Sequence, residues 1–152
     1  MSEYRTDAFE AKDIVVVDDS LDSLRYLTDI LQERGYRIRP ATSGELVLSA
    51  VAAKRPDLIL LDVKMPEIDG YEVCRRLKAD PENARVPIIF ISALDDPEDK
   101  VKAFAAGGVD YITKPLHAEE VLARVQTHLQ LQELTGRLEQ RVVERTAALT
   151  EA

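Results

Sequence analysis

The 152-residue chain has a single cysteine, Cys74, which excludes an internal disulfide and a cysteine-built metal cluster. It contains no apolar run near the ~18 residues that a membrane-crossing helix requires. The opening stretch, MSEYRTDAFEAKD, is polar and acidic and lacks the apolar segment of a signal peptide. The expected compartment is therefore the cytoplasm. Basic residues are in deficit: 20 Lys and Arg against 28 Asp and Glu leave a net charge of −8. A field of that sign repels nucleic acid and anionic lipid, so neither is expected to bind across the whole surface. The remaining composition, 45% hydrophobic and 32% charged, excludes wholesale disorder.

Short apolar runs are what the chain does have. Ile14–Val17, Leu58–Leu61, Val86–Ile91 and the weaker Val109–Ile112 are β-branched and nearly continuous, the pattern of strands buried on both faces of a parallel sheet. Tyr36–Arg39 alternates apolar and basic residues and meets Pro40, which suits an edge strand. Helical patterns lie between the runs. The first carries Leu21, Leu24, Leu27, Ile30 and Leu31 and is terminated near Gly35; the second carries Leu46, Val47, Ala50 and Val51. The third carries Val73 and Leu77 and stops before Pro81, the fourth spans Pro97 to Ala106, and the fifth begins near His117. Strands alternating with helices imply right-handed crossovers and an open, doubly wound parallel sheet. Five units are too few for a closed eight-stranded barrel.

The polar residues follow the apolar runs. The first strand leads into Asp18 and Asp19, the third into Asp62, the fourth into Ser92 and the fifth into Lys114-Pro115. In a parallel sheet these positions share one edge, where ligands bind. Singly, each has a commoner role: a turn or cap for an aspartate or serine, a solvated charge for the lysine. Together they predict a crevice. Three carboxylates repel, by roughly 4 kcal/mol for one pair at ~4 Å and an effective dielectric of 20. All-oxygen ligands without His or Cys favour a hard cation such as Mg²⁺. A lysine and a hydroxyl beside it suit a phosphoryl group, with Asp62 as a carboxylate nucleophile. A Mg²⁺-dependent phosphohydrolase with an aspartyl nucleophile is the alternative reading. Flavin binding is disfavoured, because the loop after the first strand is acidic and has no glycine to cradle a phosphate.

Four strings carry a resemblance: Val16-Val17-Asp18-Asp19, Leu61-Asp62 through Asp69-Gly70, Ile91-Ser92-Ala93, and Gly107 through Lys114-Pro115. In this order and spacing they resemble the receiver domain of two-component response regulators, over about residues 12–130. The resemblance implies a flavodoxin-like (βα)5 fold with strand order 2-1-3-4-5. It implies that Asp62 accepts a phosphoryl group from a histidine kinase or phosphotransfer protein, and that the chain is a signalling module rather than an enzyme with turnover. Asp18, Asp19, Asp62 and the backbone carbonyl of Lys64 would hold Mg²⁺, with Asp18 acting largely through water. Lys114 would pair with the phosphoryl group, its bond to Pro115 being cis. Ser92 and Tyr111 would form the switch: the hydroxyl is drawn to the phosphoryl group, Tyr111 turns inward, and the surface of helix four, strand five and helix five repacks. Lys64 and Leu94 would shade the site from water. Gly108 stands where the family commonly has alanine and is expected to loosen its turn; Gly70 is expected to permit a positive φ.

The fifth helical pattern outruns the fold. His117 to Thr150 holds no proline and only Gly136, and a continuous helix there would span about 50 Å, against a radius of gyration of roughly 13–14 Å for such a domain. Leu131, Leu134, Leu138, Val142 and Leu149 continue an apolar stripe, interrupted at Arg145 and carrying a stutter from strict heptads. A parallel homodimer through this helix is expected. The organisation expected is a polar extension over 1–11, a receiver over 12–130 and a helical linker over 131–152. That linker resembles those leading to histidine-kinase or cyclase output domains, so the chain is expected to be the first part of a longer protein. With no helix-turn-helix in the sequence, direct DNA binding is not expected.

Overall fold

The computed structural model describes residues 11–93 and 97–151, with side chains of the last helix described through Arg145. In chain order the elements are β1 (Asp13–Val17), α1 (Leu21–Gln32), β2 (Arg37–Ala41), α2 (Gly44–Ala53), β3 (Leu58–Asp62), α3 (Gly70–Ala79), β4 (Ile88–Ser92), α4 (Pro97–Ala105), β5 (Asp110–Thr113) and α5 (Ala118–Glu151). All strand pairs are parallel, in the order β2-β1-β3-β4-β5. This is the expected doubly wound sheet.

Alternation along each strand divides the core in two. Val15, Val17, Ile59, Leu61, Phe90 and Tyr111 face α2, α3 and α4. Ile14, Val16, Leu58, Leu60, Ile91 and Ile112 face α1 and α5, meeting Leu24, Leu27, Leu31, Val121, Val125 and Leu129. Each fully buried Leu or Ile contributes about 1.5–3 kcal/mol relative to exposure. Three helices start on side-chain caps: Ser20 Oγ accepts from the Ser23 amide, Ser43 Oγ from Leu46 and Asp69 Oδ1 from Glu72.

Edge strand β2 is held by a fork. The guanidinium of Arg39 donates to both oxygens of Asp13 (3.0 and 2.8 Å) and to the carbonyls of Ala50 and Lys54 (both 2.7 Å). One side chain thereby ties the edge to β1 and to the end of α2. Pro40 is tolerated inside β2 because it lies on this outer strand.

Several sequence expectations change. Leu21 and Leu46 are exposed, at 69% and 52%; Leu21 is the first residue of its helix, and Leu46 is one residue, about 100°, off the buried Val47–Val51 line. Gly70 does not have positive φ. The left-handed residue of that loop is Glu67, at φ 68°. Gly70 is required by close approach instead, since a Cβ there would stand 2.3 Å from the Asp62 carbonyl oxygen. Nor does Gly108 loosen its turn: the Phe90 ring fills its side-chain space, only 2.6 Å from where a Cβ would sit.

Helix α5 runs unbroken through Gly136 for 34 residues, about 51 Å at 1.5 Å per residue. Its first turns pack on the sheet, and farther on Glu139 ion-pairs with Arg85 of the α3–β4 loop. Leu131, Leu134, Leu138, Val142 and Val143 are exposed. Leu149 and its side chain lie outside the described side chains, as Leu94 lies outside the described residues.

Candidate functional site

The carboxyl ends of β1, β3, β4 and β5 align because the register aligns them: Val17 is opposite Leu61, Asp62 opposite Ile91, and Ser92 opposite Thr113. Polar residues follow each apolar stretch: Asp18 and Asp19 after Val17, Asp62 after Leu61, Ser92 after Ile91 and, beyond Thr113, Lys114. Asp18, Asp19 and Asp62 each bring a carboxylate oxygen to within 4.8 Å of the others. Asp18 is wholly buried and Asp62 nearly so, whereas Asp19 is exposed.

Asp18 is fixed from both sides. Its amide donates to the Ala41 carbonyl and its Oδ1 accepts from the Ser20 amide (2.9 Å). Its Oδ2 is buried without a well-formed hydrogen bond, although Lys114 Nζ lies 3.1 Å away as an ion-pair partner. Lys114 Nζ also stands 3.8 Å from Asp62 Oδ2. The Lys114 amide donates to the Ser92 carbonyl (2.8 Å), which holds the lysine beside the end of β4. The Lys114–Pro115 bond is cis. The β3–α3 loop is closed over Asp62 by the Gly70 amide on the Val63 carbonyl (2.8 Å), with Met65 and Ile68 packed on the core.

Three carboxylates against one ammonium leave excess negative charge in a poorly solvated place. Burial first, then the charge of Asp18, pushes the Asp62 carboxyl up to about 7; Lys114 works in the opposite direction. The all-oxygen donor set, the buried Oδ2 of Asp18 that no hydrogen bond satisfies and the residual charge fit a hard divalent cation. Ser92 is buried at the end of β4. Lys64 is exposed and, with Asp19, Met65, Asp69, Tyr71, Asp99 and Lys102, lines a crevice of about 680 Å³ opening beside the site.

Tyr111 is 6% exposed, inward-facing and part of the core under α4. Sequence reasoning gave no role to Tyr71, immediately behind Asp69-Gly70. Its ring packs on Phe90, with centroids 5.4 Å apart, and its hydroxyl donates to the Asp99 carbonyl (3.1 Å). An aromatic residue directly following the loop glycine was the available signal.

The response regulator receiver domain model matches residues 14–126. Over 117 residues the chain is 41% identical to the "Probable cyclic di-GMP phosphodiesterase" of Vibrio cholerae, covering 77% of this chain and 26% of that protein. It is 38% identical over 128 residues to response regulator PleD of Caulobacter vibrioides, covering 84% and 28%. The chain thus spans about a quarter of the length of these relatives. Among solved structures, it is similar to the receiver domain of a signal transduction histidine kinase from Syntrophus aciditrophicus, with 38% identity, a TM-score of 0.74, and 79% and 91% of the two chains covered. A receiver domain protein from Methanospirillum hungatei gives 25% identity, a TM-score of 0.78, and coverage of 83% and 99%. Every polar group that converges at the strand ends falls within the matched residues, and the chain belongs to the response regulator receiver domain family.

Proposed function

We propose that Asp62 is the phosphoacceptor of a two-component signalling module. The observation that carries this reading is the convergence of Asp18, Asp19 and Asp62 on one point with Lys114 against two of them. A carboxylate oxygen of Asp62 attacks the phosphorus of a phosphohistidine on a sensor kinase or phosphotransfer protein. An O–P bond forms, the P–N bond breaks, and the imidazole leaves with a proton from solvent. Asp18, Asp19, Asp62 and the Lys64 carbonyl would hold Mg²⁺, which neutralises developing charge on the phosphoryl oxygens. Lys114 Nζ pairs with a phosphoryl oxygen, and the Ser92 hydroxyl donates to another. Tyr111, inward and against α4, holds the partner arrangement of the α4–β5–α5 surface.

The phosphohydrolase alternative is not favoured, since it calls for repeated turnover and the family is one of signalling modules. A cytoplasmic location accords with this role. Incubation with Mg²⁺ and acetyl phosphate should add one phosphoryl group to the wild-type chain and none to Asp62→Asn, read by intact mass. Equal modification of both overturns the assignment.

Residues 12–130 serve as the switch and 131–152 as a connector toward an output domain, in keeping with relatives several times longer. The exposed stripe of Leu131, Leu134, Leu138 and Val142 supports a parallel homodimer. At 100° per residue it lies on the side of α5 opposite Val125 and Leu129, which face the sheet.

A further inference from the structure

We propose that Tyr71 is a positioning residue of the phosphoryl switch, its hydroxyl tying the first turn of α4 to the helix that begins behind Asp62. This inference rests on the receiver reading above and adds to it a second route by which the site governs α4. Tyr71 follows Gly70, whose backbone abuts the Asp62 carbonyl so closely that no Cβ fits. Any shift of the Asp62 backbone is therefore passed to the start of α3. From there the Tyr71 ring, 9% exposed, packs on Phe90 of β4 and shares its core with Tyr111 of β5 and Ala103 of α4. The hydroxyl then reaches the Asp99 carbonyl, 28 residues away in sequence and on α4. Burial, followed by Tyr111, Asp99 and Asp69, raises the phenol to about 12, so it remains a donor across the working pH range.

The geometry has a direction. The Tyr71–Asp99 hydrogen bond coexists with an inward Tyr111, the arrangement linked to phosphorylation. On this proposal the bond forms with Tyr111 inward and breaks when it turns outward, so losing one net hydrogen bond shifts the two-state balance about two- to tenfold.

Tyr71→Phe in the full chain removes the donor and keeps the ring. The expected result is a two- to tenfold rise in the dissociation constant for beryllofluoride with Mg²⁺, measured by calorimetry, and faster deuterium exchange at residues 97–105. A merely structural role would lower the melting temperature and leave the dissociation constant unchanged. Unchanged or tighter beryllofluoride binding by Tyr71→Phe overturns the tether and leaves the receiver reading intact. Failure of the wild-type chain to bind beryllofluoride overturns the receiver reading, and the tether with it.

Discussion

Replacing Asp62 by asparagine should stabilise the metal-free protein. At an effective dielectric of 20, Asp18 and Asp62 oxygens within 4.8 Å repel by about 3.5 kcal/mol or more, and Lys114 at 3.8 Å returns about 4.4 kcal/mol. These nearly offset one another. The cost of holding a charged carboxylate at 4% exposure remains, and it amounts to several kcal/mol for a buried ion. Asp19 adds a smaller, solvent-screened repulsion because it is exposed. Asparagine keeps the shape and removes the charge. The expected gain is about 2 kcal/mol, a rise of roughly 6–12 °C in melting temperature for a domain of this size. Calorimetric melts in EDTA and in excess Mg²⁺ supply the assay. Wild type should melt lower than Asp62→Asn in EDTA and gain more from Mg²⁺. If the variant melts below wild type in EDTA and both gain equally from Mg²⁺, the charge argument is wrong.

Gly108→Ala should destabilise the fold by about 1–3 kcal/mol through collision with the Phe90 ring, and Phe90→Leu should recover part of that loss in the double variant; strictly additive losses would show that the ring is not the obstacle. Burial works against the Asp110 carboxylate, but donors from Arg124 and His128 outweigh it and hold its pKa below the ordinary value. Its stabilising share is therefore full above the unfolded carboxyl pKa and is lost as pH falls through the folded one. The stability difference between wild type and Asp110→Asn, about 1 kcal/mol after solvent screening and read from melting temperatures, should be present at neutral pH and shrink as pH falls below the ordinary carboxylate range; a difference independent of pH contradicts the ion pair. Leu134→Asp with Leu138→Asp should give a monomer in sedimentation without altering phosphoryl uptake, and a dimer that survives both changes removes α5 as the interface.

The strands were legible because burial on both faces leaves little besides β-branched and aliphatic residues, as in Ile14–Val17 and Leu58–Leu61. The site was legible for a related reason: Asp18, Asp62 and Ser92 are the polar residues at which those apolar runs stop, and Lys114 follows the last run just beyond Thr113. What escaped the sequence depends on distances between elements. The need for glycine at position 70 is set by the Asp62 carbonyl, eight positions back, rather than by a dihedral preference. Gly108 is set by a ring on β4. The Tyr71–Asp99 and Arg85–Glu139 contacts join segments whose spacing carries no periodic signal. The outer leucines of α5 were legible as a stripe because helical spacing alone defines it; that the stripe points away from the sheet needed the position of Val125 and Leu129.

The central claim is that Asp62 carries the phosphoryl group, and borohydride trapping tests it most directly. An acyl phosphate is reduced to an alcohol, so the modified aspartate is read as homoserine in a peptide digest after treatment with acetyl phosphate and Mg²⁺. The account predicts homoserine at position 62 alone, abolished by omission of Mg²⁺. Homoserine at position 18 or 19, or at none of the three with phosphoryl stably bound elsewhere, would contradict it.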